Sequence, residues 1–127
     1  LAPAGGSLFQ FKSMIKYMTG KSASSYISYG CHCGWGGSKQ PVDTTDWCCH
    51  AHDCCYKRIS SFRCSPKLVK YGYYFRGSRI ICTSRNSCES QTCECDRRAA
   101  ECFRRAAYNK KYKYYPNILC RGRTPSC

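Results

Sequence analysis

Between residues 8 and 18 apolar side chains return at three- and four-residue steps, at Leu8, Phe11, Ile15 and Met18, with Lys12 and Lys16 set between them. That spacing is the period of a helix with one apolar edge, and Thr19-Gly20 ends it. The pattern predicts a short amphipathic helix from Ser7, its edge packed on a core or laid against a membrane. Residues 26–41 break the period with Gly30, Gly34, Gly36 and Gly37, with Ser38 as a further small residue, and read as a loop. Gly and Pro are absent from 44–59 and from 90–109, where helix formers dominate and predict two longer helices. Residues 67–82, rich in Tyr, Phe and Ile around Gly77-Ser78, predict a hairpin. No repeat period and no apolar stretch of the ~18 residues a membrane span needs is present.

Composition narrows the class. The 127 residues make one domain, and their 14 cysteines are an even set that a reducing compartment would not keep paired. Seven bridges in a secreted protein are expected, supplying stability that a core of this size does not. Structural zinc is disfavoured, because no two cysteines are spaced C-x-x-C; the close pairs are Cys31/Cys33, Cys48/Cys49, Cys54/Cys55 and Cys93/Cys95. Residues 1–6, with the small-residue run Ala2-Pro3-Ala4, read as a signal-peptide remnant, a pro-segment or a cloning scar, leaving 7–127 as the domain. The balance of 21 Lys plus Arg against 7 Asp plus Glu, a net +14, predicts adsorption to polyanions without choosing among membranes, sulfated glycans and nucleic acid.

The cysteine spacings also aim particular side chains. Cys48 and Cys55 lie seven apart on one predicted helix, and Cys95 and Cys102 lie seven apart on the other. Seven residues return to nearly the same face, about 10 Å along the axis. If the helices run antiparallel, Cys48 pairs with Cys102 and Cys55 with Cys95. His52 then points at the partner helix between the staples, with Ala99 opposite and Asp96 near enough to fix its tautomer. The plain alternative is a satisfied core histidine. Asp53 lies about 100° round the helix, on the side where the glycine loop is tied if Cys33 pairs with Cys49. Glycines that turn carbonyls toward one point, together with the Asp53 carboxylate, make an all-oxygen cage of the kind calcium prefers. A His/Asp pair beside such a cation is a candidate hydrolase centre.

At these residues the chain resembles the secreted phospholipase A2 family. Tyr29-Gly30-Cys31-His32-Cys33-Gly34-Trp35-Gly36-Gly37 is similar to its calcium loop, and Cys48-Cys49-His50-Ala51-His52-Asp53-Cys54-Cys55-Tyr56 to its active-site helix. The likeness runs on through Cys93-Glu94-Cys95-Asp96, and the tail ending at Cys127 resembles the group II branch of mammalian inflammatory and viper venom enzymes. The implied fold is mainly α and disulfide-rich: an N-terminal helix, the calcium loop, two antiparallel disulfide-linked long helices and a small β-hairpin. The resemblance implies that His52 is the general base, oriented by Asp96 with Tyr56 and Tyr71 bonded to that carboxylate. Calcium would be held by Asp53 and the carbonyls of His32, Gly34 and Gly36, with the Gly34 N–H on the oxyanion. The implied reaction is hydrolysis of the sn-2 ester of a glycerophospholipid, and Asp53 matters because relatives with Lys there are poor catalysts. The implied bridges are Cys31–Cys120, Cys33–Cys49, Cys48–Cys102, Cys54–Cys127, Cys55–Cys95, Cys64–Cys88 and Cys82–Cys93.

Leu8, Phe9, Phe11, Ile15 and Trp35 resemble the family's apolar rim, through which lipid enters from the bilayer. Lys12, Lys16 and Lys39, with Arg104, Arg105, Lys110, Lys111, Lys113, Arg121 and Arg123 toward the tail, suit an anionic membrane or a polyanion such as heparan sulfate. A merely solvated face is the alternative for the tail cluster. In this family the mature amine falls at Ser7, so residues 1–6 are expected to reduce action on aggregated lipid. Two other functions compete: a non-catalytic, membrane-disrupting toxin or receptor ligand on the same scaffold, and a nucleic-acid binder, for which no binding module is recognisable. Retention of His52, Asp53 and Asp96 favours the enzyme.

Overall fold

A computed structural model describes residues 6–34 and 37–127. Three helices, α1 (Gly6–Thr19), α2 (Thr44–Ile59) and α3 (Ser87–Arg105), are joined by loops and by a two-stranded antiparallel hairpin, β1 (Tyr73–Arg76) and β2 (Arg79–Cys82). Short 3-10 turns at Ala23–Ser25, Lys110–Tyr112 and Asn117–Leu119 complete the regular structure among the described residues.

Helix α1 buries Ser7, Met14, Ile15 and Met18, the edge its apolar period marks. Gly6 is its first residue, one position earlier than the sequence suggests. A Cβ at Gly6 would lie 2.6 Å from the Lys70 Cβ, so only glycine lets the helix start this close to the 69–70 segment. Ser7 Oγ donates to the Pro66 carbonyl beside it. The expected leader otherwise falls on 1–5, outside the described residues.

Helix α2 begins at an Asp43 cap, whose side chain accepts from the Asp46 N–H, and ends with Lys57 and Arg58 in the last turn, where cations suit the carbonyl end of the dipole. Its bounds match the sequence reading. Helix α3 does not: it runs 87–105 rather than 90–109. Asn86 caps it by accepting from Glu89 N–H at 3.1 Å, a start signal upstream of the one read. At the other end nothing local breaks the helix. Tyr108 packs edge-on against Tyr26 at 5.3 Å, and Asn109 N–H donates to the Tyr29 hydroxyl at 3.0 Å, so tertiary contacts pull the chain out after Arg105. The hairpin too is shorter than 67–82. Its strands are four residues each, paired Tyr73 to Cys82 through Arg76 to Arg79 around Gly77, whose φ is +59°. Tyr17 of α1 stacks on Phe75 at 3.9 Å and holds the hairpin to the body.

All seven bridges form as the resemblance implies, and no described cysteine is free. Cys48–Cys102 and Cys55–Cys95 staple α2 to α3 antiparallel, and Ala99, 4% exposed between the two bridged positions of α3, is small enough for close approach. Much of the core is cystine sulfur and aromatic ring. One cluster joins Ile15, Tyr26, Tyr29, Cys48, Cys49 and Phe103; a second joins Met14, Met18, Tyr71, Ile80, Cys93 and Ala100. The tail turns back over the glycine loop, with Gly30 N–H on the Tyr112 carbonyl at 2.8 Å and Gln40 N–H on that of Arg121 at 2.9 Å. No helix among the described residues is long and apolar enough to cross a membrane.

Candidate active site

The staples bring His52 and Asp96 together across α2 and α3, His52 Nε2 lying 2.7 Å from Asp96 Oδ1. Asp96 is wholly buried and meets two further donors, Tyr56 hydroxyl on Oδ1 at 2.6 Å and Tyr71 hydroxyl on Oδ2 at 2.6 Å. Burial first, and then the Asp96 charge, push both phenols far above their ordinary range, so they stay protonated and donate. A carboxylate ringed by three donors accepts from Nε2, which assigns the proton there and leaves Nδ1 as the acceptor nitrogen. His52 also lines a cavity of about 540 Å³.

The cavity is lined by the apolar side chains of Leu8, Phe11, Ile15, Tyr26, Ile27 and Phe103 and also by His32, Gly34, Gly37, Asp53 and Lys67. The expected rim is thereby sorted by depth. Ile15, at 3% exposure, and half-buried Leu8 and Phe11 are inner wall, because i and i+4 positions of α1 face inward together. Phe9 is 57% exposed and stands outside the cavity with the Lys12 ammonium 5.7 Å from its ring. Trp35, and Gly36 as a calcium ligand, lie outside the described residues.

Asp53 is open to solvent on one side and crowded by protein on the rest. That crowding pushes its carboxyl up to about 6, against the opposing pull of His52, His32 and Lys67. A carboxylate lining the same cavity as the glycine loop is the type of donor a hard cation takes. The loop geometry agrees. Gly34 has φ +95°, and a Cβ there would lie 1.8 Å from the Ile27 carbonyl oxygen, so only glycine can make the turn. No group of three or more His, Cys, Asp or Glu among the described residues is placed to hold a metal. Asp53 with main-chain carbonyls of the loop would make an all-oxygen donor set of the kind calcium takes.

Sequence reasoning missed Asp46. Wholly buried in the first turn of α2, it accepts from Cys31 N–H at 2.8 Å, His32 N–H at 2.8 Å and Val42 N–H at 2.9 Å, clamping the loop's main chain to the helix that carries His52. Gly30 makes the approach possible, since its Cβ would lie 2.5 Å from the Asp46 carboxyl carbon. The available signal was the pair Asp43 and Asp46, three apart at a helix start, where one acid suffices for a cap. His50 was also passed over. It is buried against His32, ring centroids 4.8 Å apart, and its pKa is lowered by burial and then by that neighbour.

The family model for phospholipase A2 matches residues 8–113. The chain belongs to the phospholipase A2 family. Among curated relatives of this family, group IIE secretory phospholipase A2 of Mus musculus is 57% identical over 126 residues, spanning 98% of this chain and 89% of the relative. Membrane-associated phospholipase A2 of Homo sapiens is 54% identical over 130 residues, 100% and 90% of the two chains. Basic phospholipase A2 caudoxin of Bitis caudalis is 49% identical over 123 residues, 95% and 100%. These relatives span the group II and snake proteins that the cysteine-terminated tail resembles, and the disulfide-rich, mainly α phospholipase A2 fold is the one described above.

Proposed function

We propose that this phospholipase A2 is secreted and hydrolyses the sn-2 ester of glycerophospholipids at membrane surfaces with calcium as its cofactor. One observation carries the reading: a histidine whose Nε2 is committed to a buried aspartate lines a cavity that combines apolar side chains with Asp53 and the glycine loop. His52 Nδ1 takes a proton from water as the oxygen attacks the ester carbon. The same proton passes to the departing alkoxide as the carbon–oxygen bond breaks, giving a fatty acid and a lysophospholipid. Asp96 holds the imidazole and offsets its charge, while Tyr56 and Tyr71 keep that carboxylate in place. The apolar wall takes the acyl chain, and Lys67 faces the phosphate. The Gly34 N–H adds a donor at the developing oxyanion. Asp53 and the carbonyls of His32 and Gly34, with that of Gly36 as the resemblance implies, would hold calcium, which when bound would supply positive charge for that oxyanion.

Surface charge supports an anionic membrane as the partner. Asp46 and Asp96 are buried, Asp43 takes the Tyr29 hydroxyl, Asp53 lines the cavity, and Glu94 and Glu101 both hold Arg97. Buried and paired carboxylates keep their charge, so the field outside is that of the net +14, 21 Lys plus Arg against seven acids. Each Lys or Arg near an anionic surface adds about 1 kcal/mol of attraction. Heparan sulfate and other polyanions suit the same field. The test is release of labelled acyl chains from phosphatidylglycerol vesicles. Release from the sn-2 position alone, abolished by a calcium chelator, is expected; release from sn-1, or release that survives the chelator, would overturn the proposal.

A further inference from the structure

We infer that Phe11 is a positioning residue for His52, acting through the imidazole. This deepens the proposed function and rests on His52 being the base. The Phe11 ring stacks on the His52 ring with centroids 4.4 Å apart and planes 14° from parallel. One hydrogen bond to Asp96 fixes Nε2 but leaves the ring free to pivot about that bond, and a pivot swings Nδ1 away from the attacking water. A flat ring lying parallel on one face opposes the pivot. Tyr56 also packs on the imidazole, at 4.3 Å and 45°, but it lies on α2 with His52; Phe11 is the stacking partner supplied by another element.

Helix α1 is itself keyed to the same carboxylate. Gln10, adjacent to Phe11, is bonded to the Tyr71 main chain in both directions: its Oε1 accepts the Tyr71 N–H at 3.1 Å and its Nε2 donates to the Tyr71 carbonyl. Tyr71 holds Asp96, Asp96 holds His52, and His52 returns to Phe11. This closed circuit of five residues makes the docking of α1 set both the carboxylate and the plane of the ring that it orients. A residue that only lined the acyl wall would need no such parallel contact.

The competing role, an acyl-chain wall, predicts a different kinetic change. The test uses the calcium-loaded enzyme and a monomeric short-chain phosphatidylcholine below its micellar concentration, which removes membrane adsorption from the readout. An aromatic stack of this kind is worth a rate factor of roughly threefold to tenfold. Phe11→Leu is expected to lower kcat by that factor with KM within about twofold, and Phe11→Tyr, which keeps the flat ring, to rescue kcat. In NMR, His52 is expected to keep Nε2 protonated in wild type and in both variants, with relaxation of its ring carbons showing added motion only in Phe11→Leu. Phe11→Met serves the same purpose if the leucine variant does not fold. A raised KM with unchanged kcat, or His52 ring motion in Phe11→Leu equal to that of wild type, would overturn the inference and leave Phe11 as wall. Hydrolysis undiminished in His52→Gln would instead overturn the base assignment beneath it, whatever the Phe11 variants do.

Discussion

Replacing Asp46 by asparagine keeps the shape of the side chain and removes what the loop clamp depends on. Oδ2 accepts from two main-chain donors, Cys31 N–H at 2.8 Å and Val42 N–H at 2.9 Å, while Oδ1 accepts from His32 N–H at 2.8 Å. An amide that puts its oxygen toward the first two must turn its own NH₂ toward the His32 N–H. One buried donor then has no acceptor, at about 1–3 kcal/mol, and the two surviving bonds lose their charge assistance, so the change costs about 2–4 kcal/mol. Cys31 and Cys33 are bridged to Cys120 and Cys49, so the loop cannot leave the body. The cost therefore appears as local opening around the His32 carbonyl. If calcium binds only the closed loop, its apparent affinity falls with the closed population, by roughly tenfold or more. Calorimetric calcium titration and guanidinium unfolding with the bridges intact read the two sides of this linkage. An unfolding free energy within about 0.5 kcal/mol of wild type, together with calcium affinity within twofold, would refute the assignment of Asp46 as the clamp.

Other outcomes follow from the same geometry. Gly34→Ala places a Cβ 1.8 Å from the Ile27 carbonyl oxygen and is expected to abolish calcium binding while the stapled helices persist by circular dichroism. Tyr56→Phe and Tyr71→Phe each strip one donor from buried Asp96, so each is expected to cost about 1.5–3 kcal/mol in stability; the pair should be non-additive, because both changes act on one carboxylate. The Asp53 carboxyl is raised to about 6, so the apo fold favours its protonated form: this contribution to stability is present at low pH and lost as pH rises through 6. Calcium needs the ionised form, so its affinity should fall about tenfold between pH 7 and pH 5 in titrations at the two values. Adsorption to phosphatidylglycerol vesicles should weaken steeply between 0.1 M and 1 M salt, as the Debye length shrinks from about 10 Å to about 3 Å; salt-independent binding would remove the charge argument.

Much of this arrangement is legible in the chain because covalent geometry and helix period leave few choices. Two pairs of cysteines at seven-residue spacing draw the antiparallel staple, and His52 and Asp96 then have to meet. The remaining five bridges are not fixed by spacing and came from the resemblance. The end of α3 escaped sequence reading because Ala106-Ala107-Tyr108 contains no breaker; aromatic packing on Tyr26 and Tyr29 stops the helix instead. Asp46 escaped because a first-turn aspartate reads as dipole complement, and its long-range partners sit on a loop 14 and 15 residues upstream. In the sequence Phe11 reads as rim for a related reason. An apolar edge tells which residues point inward, and not that one of them lies flat on an imidazole.

The central claim is that His52 activates the attacking water, and the most direct measurement is sn-2 fatty acid release from phosphatidylglycerol vesicles by His52→Gln at saturating calcium. The geometry predicts that hydrolysis falls by at least about a hundredfold while vesicle adsorption and calcium affinity stay near wild type. Hydrolysis close to the wild-type rate would contradict it.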